Sequence, residues 1–96
     1  MEIVVAYDVS TETREGRRRL KHVTDACQAY GQRVQKSVFE CSLDQTQLLQ
    51  LERRLLRCID LSEDRLRIYR LLEPREHYTR VFGTDTKVDF RAPLVV

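Results

Sequence analysis

The stretch Ile3-Val4-Val5-Ala6-Tyr7-Asp8 decides how this chain folds, because it joins a short apolar run to an acid at its end. An unbroken apolar run of this length predicts a strand that is buried on both faces. An acid at the end of such a strand lies beside the core, where a carboxylate is costly unless a positive group meets it. We therefore expect the partner of Asp8 to be one of the arginines that follow it, or a divalent cation.

The composition is that of an ordinary globular protein. The chain has 96 residues, of which 42% are hydrophobic and 33% are charged. This length predicts one domain over residues 1–96. No apolar stretch approaches the roughly 18 residues that a membrane helix needs, and the N-terminus lacks the pattern of a secretory signal. We therefore expect a cytoplasmic protein that does not contact a membrane.

The choice of basic residue is more informative than the net charge of +2. All but three of the 17 basic residues are arginine, the exceptions being Lys21, Lys36 and Lys87. Arginine holds phosphate or carboxylate through paired hydrogen bonds, so the composition is compatible with nucleic-acid binding. Composition alone nevertheless favours a simpler interpretation, in which arginine-rich coding produces many surface ion pairs.

The three cysteines, Cys27, Cys41 and Cys58, are odd in number and far apart in the sequence. They form no C-x-x-C pair, so a zinc site is not expected. Each falls on an apolar stripe of a predicted helix or strand. We therefore expect them to be reduced core residues.

Two helices are predicted from capping residues and apolar stripes. The first begins at Thr13 or a near neighbour and ends at Gly31. The second follows Asp44, with Gln47 as its capping-box partner. The predicted apolar stripe of the first helix consists of Leu20, Val23, Cys27 and Tyr30. That of the second helix consists of Leu48, Leu51, Leu55 and Cys58, and this second stripe is widened by Leu49, Leu56 and Ile59.

Four strands are predicted from apolar runs and alternation. The two middle strands form a hairpin that turns near Lys36 and Ser37. The last strand alternates in its first half only, which indicates a bulge or an end near Tyr69. The predicted strands cover residues 2–8, 32–37, 38–43 and 65–72.

This order of elements is the β-α-β-β-α-β pattern of the ferredoxin-like fold, an α+β sandwich. Both helices then cover the same face of a four-stranded antiparallel sheet. Because the first strand is expected to be buried on both sides, the open face or its edge should pack against a second copy, in a homodimer with Asp8 near the two-fold axis. The domain has a core in residues 1–72 and an extension in 73–96. The apolar end of that extension, Pro93–Val96, is expected to add a strand to a sheet edge or to meet a partner.

Several short segments together resemble the CRISPR-associated protein 2 family, the small subunit of the spacer-acquisition machinery. They are Tyr7-Asp8 at a strand end, a basic first helix, Gly31-Gln32-Arg33-Val34-Gln35 and Ser37-Val38-Phe39-Glu40-Cys41. Residues 7–11 and 31–41 look closest to the subtype I-C branch. The resemblance implies a homodimer that bridges integrase subunits and holds a DNA duplex, or RNA, by its backbone.

The resemblance also implies a site. Asp8 matches the family's catalytic, metal-binding acid, which is shared with its copy across the dimer axis. Members of the family were named as Mg²⁺-dependent endonucleases that cut RNA or double-stranded DNA. The expected ion is therefore Mg²⁺, with Mn²⁺ as an alternative. The family's functional positions also match Tyr7, Arg17, Arg19, Arg33, Ser37 and Phe39.

The remaining basic residues near these positions are candidates for phosphate contact. Tyr7, Ser37 and Phe39 are expected to support the site through packing. The full set of candidate nucleic-acid-binding residues is Arg14, Arg17, Arg18, Arg19, Arg33 and Lys36.

Each assignment has a simpler alternative. Asp8 could be a turn or capping residue. The basic residues Arg14, Arg17, Arg18 and Lys21 could be a solvated helix face, or they could pair with Glu15 and Asp25 at helical spacing. Three functions therefore stay open: a Mg²⁺-dependent nuclease, a non-catalytic scaffold for spacer acquisition, and a toxin-like ribonuclease that acts on cellular RNA.

Overall fold

The computed structural model describes residues 1–84, and its elements follow the predicted order. A 3₁₀ turn, Arg75–Tyr78, follows the last strand. The strand expected at Pro93–Val96 lies outside the described residues. The strands are β1 (Glu2–Asp8), β2 (Gly31–Gln35), β3 (Val38–Ser42) and β4 (Arg65–Leu71), and the helices are α1 (Arg14–Tyr30) and α2 (Gln45–Cys58).

The four strands form one antiparallel sheet in the order β2-β3-β1-β4. Both helices pack on the same face of this sheet and enclose a single core with β1 and β3. The α+β ferredoxin-like architecture is therefore confirmed. Neither helix within residues 1–84 has the length and apolar character that crossing a bilayer requires.

The core owes its stability to large side chains that both layers contribute. Phe39 of β3 and Leu51 and Leu55 of α2 are completely buried, as is Val23 of α1. Burying one such side chain contributes about 1.5–3 kcal/mol, so the sheet and both helices stabilise each other. Because β1 lies between β3 and β4, its end is held on both sides.

Burial of the open side by a second copy stays a prediction, because within one protomer β1 is buried on one face only. Its residues alternate: Ile3, Val5 and Tyr7 are buried under the helices, whereas Val4 and Ala6 are half-buried on the opposite face. The reason is that neighbouring strands flank both edges of β1, while the helices cover only one of its faces. We call the opposite side of the sheet the open face.

The prediction that the last strand has a bulge or an end near Tyr69 is wrong. β4 pairs with β1 in an unbroken register as far as Leu71. The alternation fails in the sequence because Arg70, on the helix side, is exposed on an edge strand. The irregularity in the sheet lies instead in β2, between Arg33 and Gln35.

Both helix starts are confirmed. The hydroxyl of Thr13 accepts a hydrogen bond of 3.0 Å from the Gly16 amide. Asp44 accepts from the Gln47 amide at 2.7 Å, and the Gln47 side chain accepts from the Asp44 amide at 2.9 Å. These bonds satisfy amides that the helix itself leaves free. Gly31 ends α1 as predicted.

The apolar stripe of α2 is narrower than predicted. Leu51 and Leu55 are fully buried, but Leu49 and Leu56 are 46% and 55% exposed. Leu56 lies beside the exposed edge of the sheet, next to β4, where no further element of the described chain covers it. The widening of the stripe by these two leucines is therefore wrong.

The cysteines are free thiols, as expected. Cys27 and Cys41 are buried, and Cys58 is half-buried at the end of α2. Burial raises the pKa of the Cys27 thiol to about 12 and that of Cys41 to about 11. Because the thiolate is the nucleophile, both thiols are inert at neutral pH in the folded protein.

We expect a thiol-alkylating reagent at pH 8 to modify Cys58 while Cys27 and Cys41 stay protected until the protein unfolds. Mass spectrometry should therefore find one modified cysteine in the native protein and three in the urea-unfolded protein. In Cys58→Ser, the native protein should remain unlabelled. Rapid native labelling of Cys27 would contradict the described burial.

Candidate functional site

Asp8 is the last residue of β1 and is exposed on the open face. Its neighbour Tyr7 points the other way, into the core. Across the sheet, the Cα of Asp8 lies opposite that of Arg65 in β4. The Asp8 side chain has no hydrogen bond or ion pair with any other residue in 1–84, so the expected pairing with an arginine of the same chain is not found among these residues. Its carboxylate is exposed and available to a ligand.

The chain that follows Asp8 is held at three points. The Val9 side chain is buried in the core. The Ser10 amide donates a hydrogen bond of 3.1 Å to Oδ1 of Asp64. A side chain at Gly16 would collide with the Ser10 carbonyl, so α1 packs directly against the backbone of this loop. The exposed carboxylate of Asp8 therefore extends from a fixed segment of chain.

Asp64 is the buried acid at this end of the sheet, and its carboxylate accepts four hydrogen bonds. Two come from Arg19, through Nε at 2.8 Å and Nη2 at 3.3 Å. The others come from the backbone amides of Ser10 at 3.1 Å and Asp60 at 2.8 Å. Burial by itself raises the pKa of Asp64, but these hydrogen bonds outweigh burial and lower the pKa below its ordinary value.

Sequence reasoning assigned no role to Asp64. The signal was weak: an acid directly before a strand, in a chain with many arginines. The structure shows that Arg19 is the partner, since its side chain is only 20% exposed and both oxygens of Asp64 receive a bond from it.

The other α1 arginines differ from Arg19 in their exposure. Arg14, Arg17 and Arg18 are exposed on the first turns of the helix, at the end of the molecule that carries Asp8. Arg17 also donates a hydrogen bond of 3.2 Å to the Thr11 carbonyl. The predicted pairing at helical spacing is confirmed for Lys21 and Asp25, which lie 3.2 Å apart.

Arg33 lies away from Asp8. Its guanidinium carbon is 5.4 Å from the centre of the Phe39 ring, on the helix side of the edge strand β2. Asp8 is on the open face of β1, two strands away, so one protomer does not bring the two side chains together. Lys36 is exposed in the hairpin turn, which lies beside the end of β1 because the Tyr7 amide donates to the Ser37 carbonyl at 3.1 Å.

Tyr7 and Phe39 form the base beneath this end of the sheet. Their rings stack with centres 6.2 Å apart, and Phe39 is completely buried. The Tyr7 hydroxyl lies 2.8 Å from the hydroxyl of Thr24 in α1, so its polar tip is satisfied inside the fold. Both side chains lie on the helix side of the sheet, where they can only support the position of Asp8.

The donor set bears on the expected metal. In the described part of the chain, no three His, Cys, Asp or Glu side chains come together as a metal site. Asp8 offers a hard oxygen ligand of the kind that Mg²⁺ and Mn²⁺ accept, but one carboxylate binds Mg²⁺ weakly. Its exposure on the open face leaves it accessible to a second carboxylate or to a phosphate. The residues therefore fit the ion only when something beyond the described residues of one protomer completes the set.

The opposite end of the open face carries a charge network that sequence reasoning missed. Arg75, in the 3₁₀ turn, is only 6% exposed. Its Nη1 is 2.7 Å from Glu2 and its Nε is 3.4 Å from Glu40. The N-terminal amine lies 3.4 Å from Glu73 in the same region. The segment after β4 thus covers the Glu2 end of the open face, while the Asp8 end remains accessible.

Comparisons with known proteins agree on one family. The family model for CRISPR associated protein Cas2 matches residues 1–78. A relative from Moorella thermoacetica is named CRISPR-associated endoribonuclease Cas2 1. It is 54% identical to this chain over 96 residues, and the match covers 100% of both chains. A relative from Halalkalibacterium halodurans, named CRISPR-associated endonuclease Cas2, is 44% identical over 95 residues, which are 99% of each chain.

Two solved structures share the fold at substantial sequence identity. The crystal structure of Streptococcus pyogenes Cas2 at pH 6.5 matches with a TM-score of 0.78 and 43% identity, covering 86% of this chain and 100% of that chain. A hypothetical protein from Thermus thermophilus, TT1823, matches with a TM-score of 0.72 and 39% identity, covering 88% of this chain and 92% of that chain.

Proposed function

The chain belongs to the family of CRISPR associated protein Cas2, and from this premise we propose that it binds nucleic acid during spacer acquisition and cuts it as a metal-dependent endonuclease. The observation that carries this proposal is the carboxylate of Asp8, which is exposed, has no partner in residues 1–84, and extends from a fixed strand end. The names endoribonuclease and endonuclease, which two relatives carry, support phosphodiester hydrolysis as the reaction.

The proposed active unit is a homodimer in which two copies of Asp8 face each other. The half-buried apolar side chains Val4 and Ala6 lie on the open face of the same strand and support packing there. Two carboxylates at close range repel each other, and a divalent cation between them relieves the repulsion. Mg²⁺ or Mn²⁺ would be held by the two Asp8 side chains and by oxygens of the bound phosphate.

Each part of the site then has a defined task. When bound, the ion lowers the pKa of its water and offsets charge on the attacked phosphate. Asp8 holds the ion, while Arg14, Arg17 and Arg18 hold the nucleic-acid backbone through its phosphates. The sequence offers no obvious general base, so the proton of the attacking water passes to solvent. We therefore expect slow cleavage without sequence preference.

We expect the exposed arginines of α1 to account for much of the salt dependence of binding. Each phosphate contact that is lost should reduce the slope of log K against log salt by about 0.7–0.9. The measurement is fluorescence anisotropy with a DNA duplex and an RNA strand of equal length, over a KCl series. The variant is Arg14→Gln, Arg17→Gln and Arg18→Gln combined.

A matched control removes the same charge from the other helix, by Arg53→Gln, Arg54→Gln and Arg57→Gln combined. If both triple variants reduce the slope equally, net charge rather than α1 contacts explains binding. A binding constant that does not change with salt would exclude backbone recognition altogether. The duplex and RNA arms decide which nucleic acid is preferred.

One observation favours a second role, in which the protein holds nucleic acid without cutting it. Within residues 1–84, a single protomer offers Asp8 without a cluster of further ligands. A dimer acting as a scaffold would hold a DNA duplex and keep integrase subunits at a fixed separation. An integration assay with the integrase subunit tests this role: Asp8→Ala should then support normal spacer insertion, whereas the triple α1 variant should not.

The proposal extends to the subtype and the compartment. The segments 7–11 and 31–41 support the I-C branch, and the nature of the neighbouring genes tests that assignment. A role in spacer acquisition places the protein with the cell's DNA in the cytoplasm.

A further inference from the structure

Taking the proposed function as its basis, we propose that Asp64 and Arg19 are positioning residues that hold Asp8 in place, and that Arg19 does not contact phosphate. This inference assigns a function to the buried ion pair beside the site. It also separates Arg19 from the exposed arginines of the same helix.

The first step is the position of Asp64, which contacts the chain just after Asp8 and directly precedes the β4 residue opposite Asp8. Its carboxylate binds the amide of Ser10, two residues after Asp8. The residue that follows Asp64 is Arg65, which lies opposite Asp8 in the last pair of the β1–β4 ladder. One buried carboxylate thus fixes both strands at the point where their pairing ends.

The second step is the engagement of Arg19. Two of its guanidinium nitrogens, Nε and Nη2, donate hydrogen bonds to the two carboxylate oxygens of Asp64, whose side chain has no exposed surface. A guanidinium in this paired geometry is held strongly. Moving it to a phosphate would leave the Asp64 carboxylate buried without its counterion, which is costly. Arg19 is therefore committed to Asp64, whereas Arg14 and Arg18 are exposed.

The third step is the dependence of Asp8 on this pair. The Asp8 side chain has no hydrogen bond or ion pair within residues 1–84, so its position depends on the backbone that carries it. If the Ser10 amide loses its acceptor, the strand end can fray, and the first functional group to move is Asp8. Residues that orient metal ligands from outside typically matter by about 10- to 100-fold in metal affinity or activity.

The test compares Asp64→Asn, Arg19→Gln and their combination with the wild-type protein. Asp25→Asn, in the exposed pair with Lys21, is the matched control. Mn²⁺ affinity is measured by electron paramagnetic resonance, exchange of the Ser10 amide by NMR, and binding to a DNA duplex over a KCl series. Cleavage is followed alongside these three measurements.

We expect both single variants to weaken Mn²⁺ binding or kcat by about 10- to 100-fold, as for other outer partners of metal ligands. The double variant should lose no more than either single one, because the two residues act as a unit. The Ser10 amide should exchange faster in Asp64→Asn, and the salt slope of DNA binding should not change. Asp25→Asn should match the wild type in every measurement.

The opposite pattern would overturn the inference. If Arg19→Gln reduces the salt slope by the amount expected for one phosphate contact while Asp64→Asn strengthens DNA binding, then Arg19 contacts phosphate.

If the wild type binds no Mn²⁺ and cuts nothing, the proposed nuclease fails. The exchange rate of the Ser10 amide and the salt slope of DNA binding then still decide the role of the Asp64–Arg19 pair. Should Asp64→Asn not fold, Arg19→Lys decides: it keeps the charge but loses the paired geometry, so unchanged Ser10 exchange and Mn²⁺ affinity would contradict positioning.

Discussion

We expect the replacement of Asp8 with asparagine to remove metal-dependent cleavage. The expected loss exceeds the roughly 100-fold that follows when a residue outside the metal's own ligands is removed. In a symmetric dimer, one substitution removes both carboxylates. The amide that replaces each of them carries no charge and holds Mg²⁺ far less well. Because Asp8 is exposed and without a partner in residues 1–84, the free energy of unfolding should change by no more than about 0.5 kcal/mol.

The measurement is cleavage of labelled RNA and of labelled duplex DNA by homogeneous protein, with Mg²⁺, with Mn²⁺ and with a chelator. Glu12→Gln is the control, since Glu12 is an exposed acid four residues further along the chain. Binding of Asp8→Asn to either substrate should equal or exceed that of the wild type, because a negative charge is removed near the phosphates. Unchanged cleavage by Asp8→Asn would show that Asp8 is not the metal-binding acid.

Loss of cleavage and retention of spacer insertion in the same variant would separate the two proposed roles. The nuclease role requires the Asp8 carboxylate, whereas the scaffold role requires only the phosphate contacts and the dimer. A variant that fails in both assays, with its dimer and complex intact, would count against a non-catalytic scaffold, because spacer insertion itself would then require the Asp8 carboxylate.

The parts of the fold that could be predicted from the sequence depend on neighbouring residues. The capping box of Asp44 and Gln47 joins residues three apart, so both partners are visible in one turn of sequence. The same holds for the Lys21–Asp25 pair, which spans four residues. The unbroken apolar run Ile3–Tyr7 placed Asp8 at the end of the first strand, and the structure confirms that position.

The parts that could not be predicted depend on residues that are far apart in the chain. Arg19 and Asp64 are separated by 45 positions, and Arg75 and Glu2 by 73. No periodicity connects such pairs, because they meet only when the sheet brings distant strands together. Sequence reasoning therefore listed Arg19 among the candidate nucleic-acid-binding residues and assigned no role to Arg75.

The burial of β1 illustrates a second limit. An apolar run predicts that water is excluded, but it does not say what excludes it. On the helix side, the core excludes water from Val5 completely. On the open face, Val4 and Ala6 remain half-buried, and part of the cover comes from a charged turn that contains Arg75. A hydrophobic pattern cannot indicate a cover of that kind.

Replacing Arg75 with alanine should lower the free energy of unfolding by about 2–3 kcal/mol, somewhat less than the loss of one partner of a fully buried ion pair. The side chains of Glu2 and Glu40 are only 18% and 14% exposed, and the substitution leaves them without this guanidinium. Arg75 also anchors the turn that covers their end of the open face. Two neighbouring carboxylates that lose this positive charge between them repel each other more strongly, which favours release of that turn.

Equilibrium unfolding in urea measures this loss, with Arg80→Ala as the control. Arg80 is exposed, and its guanidinium lies 5.5 Å from the ring centre of Phe82, which is itself 80% exposed, so its removal should cost less than about 0.5 kcal/mol. Combining Arg75→Met with Glu2→Gln and Glu40→Gln removes the charges of Arg75 and of both its carboxylate partners. This variant should recover most of the stability, since replacing a buried ion pair with neutral groups is often harmless. If Arg75→Ala unfolds like the wild type, the turn does not hold the open face. If the combined variant recovers nothing, lost packing rather than the stranded carboxylates causes the defect, and the electrostatic explanation is wrong.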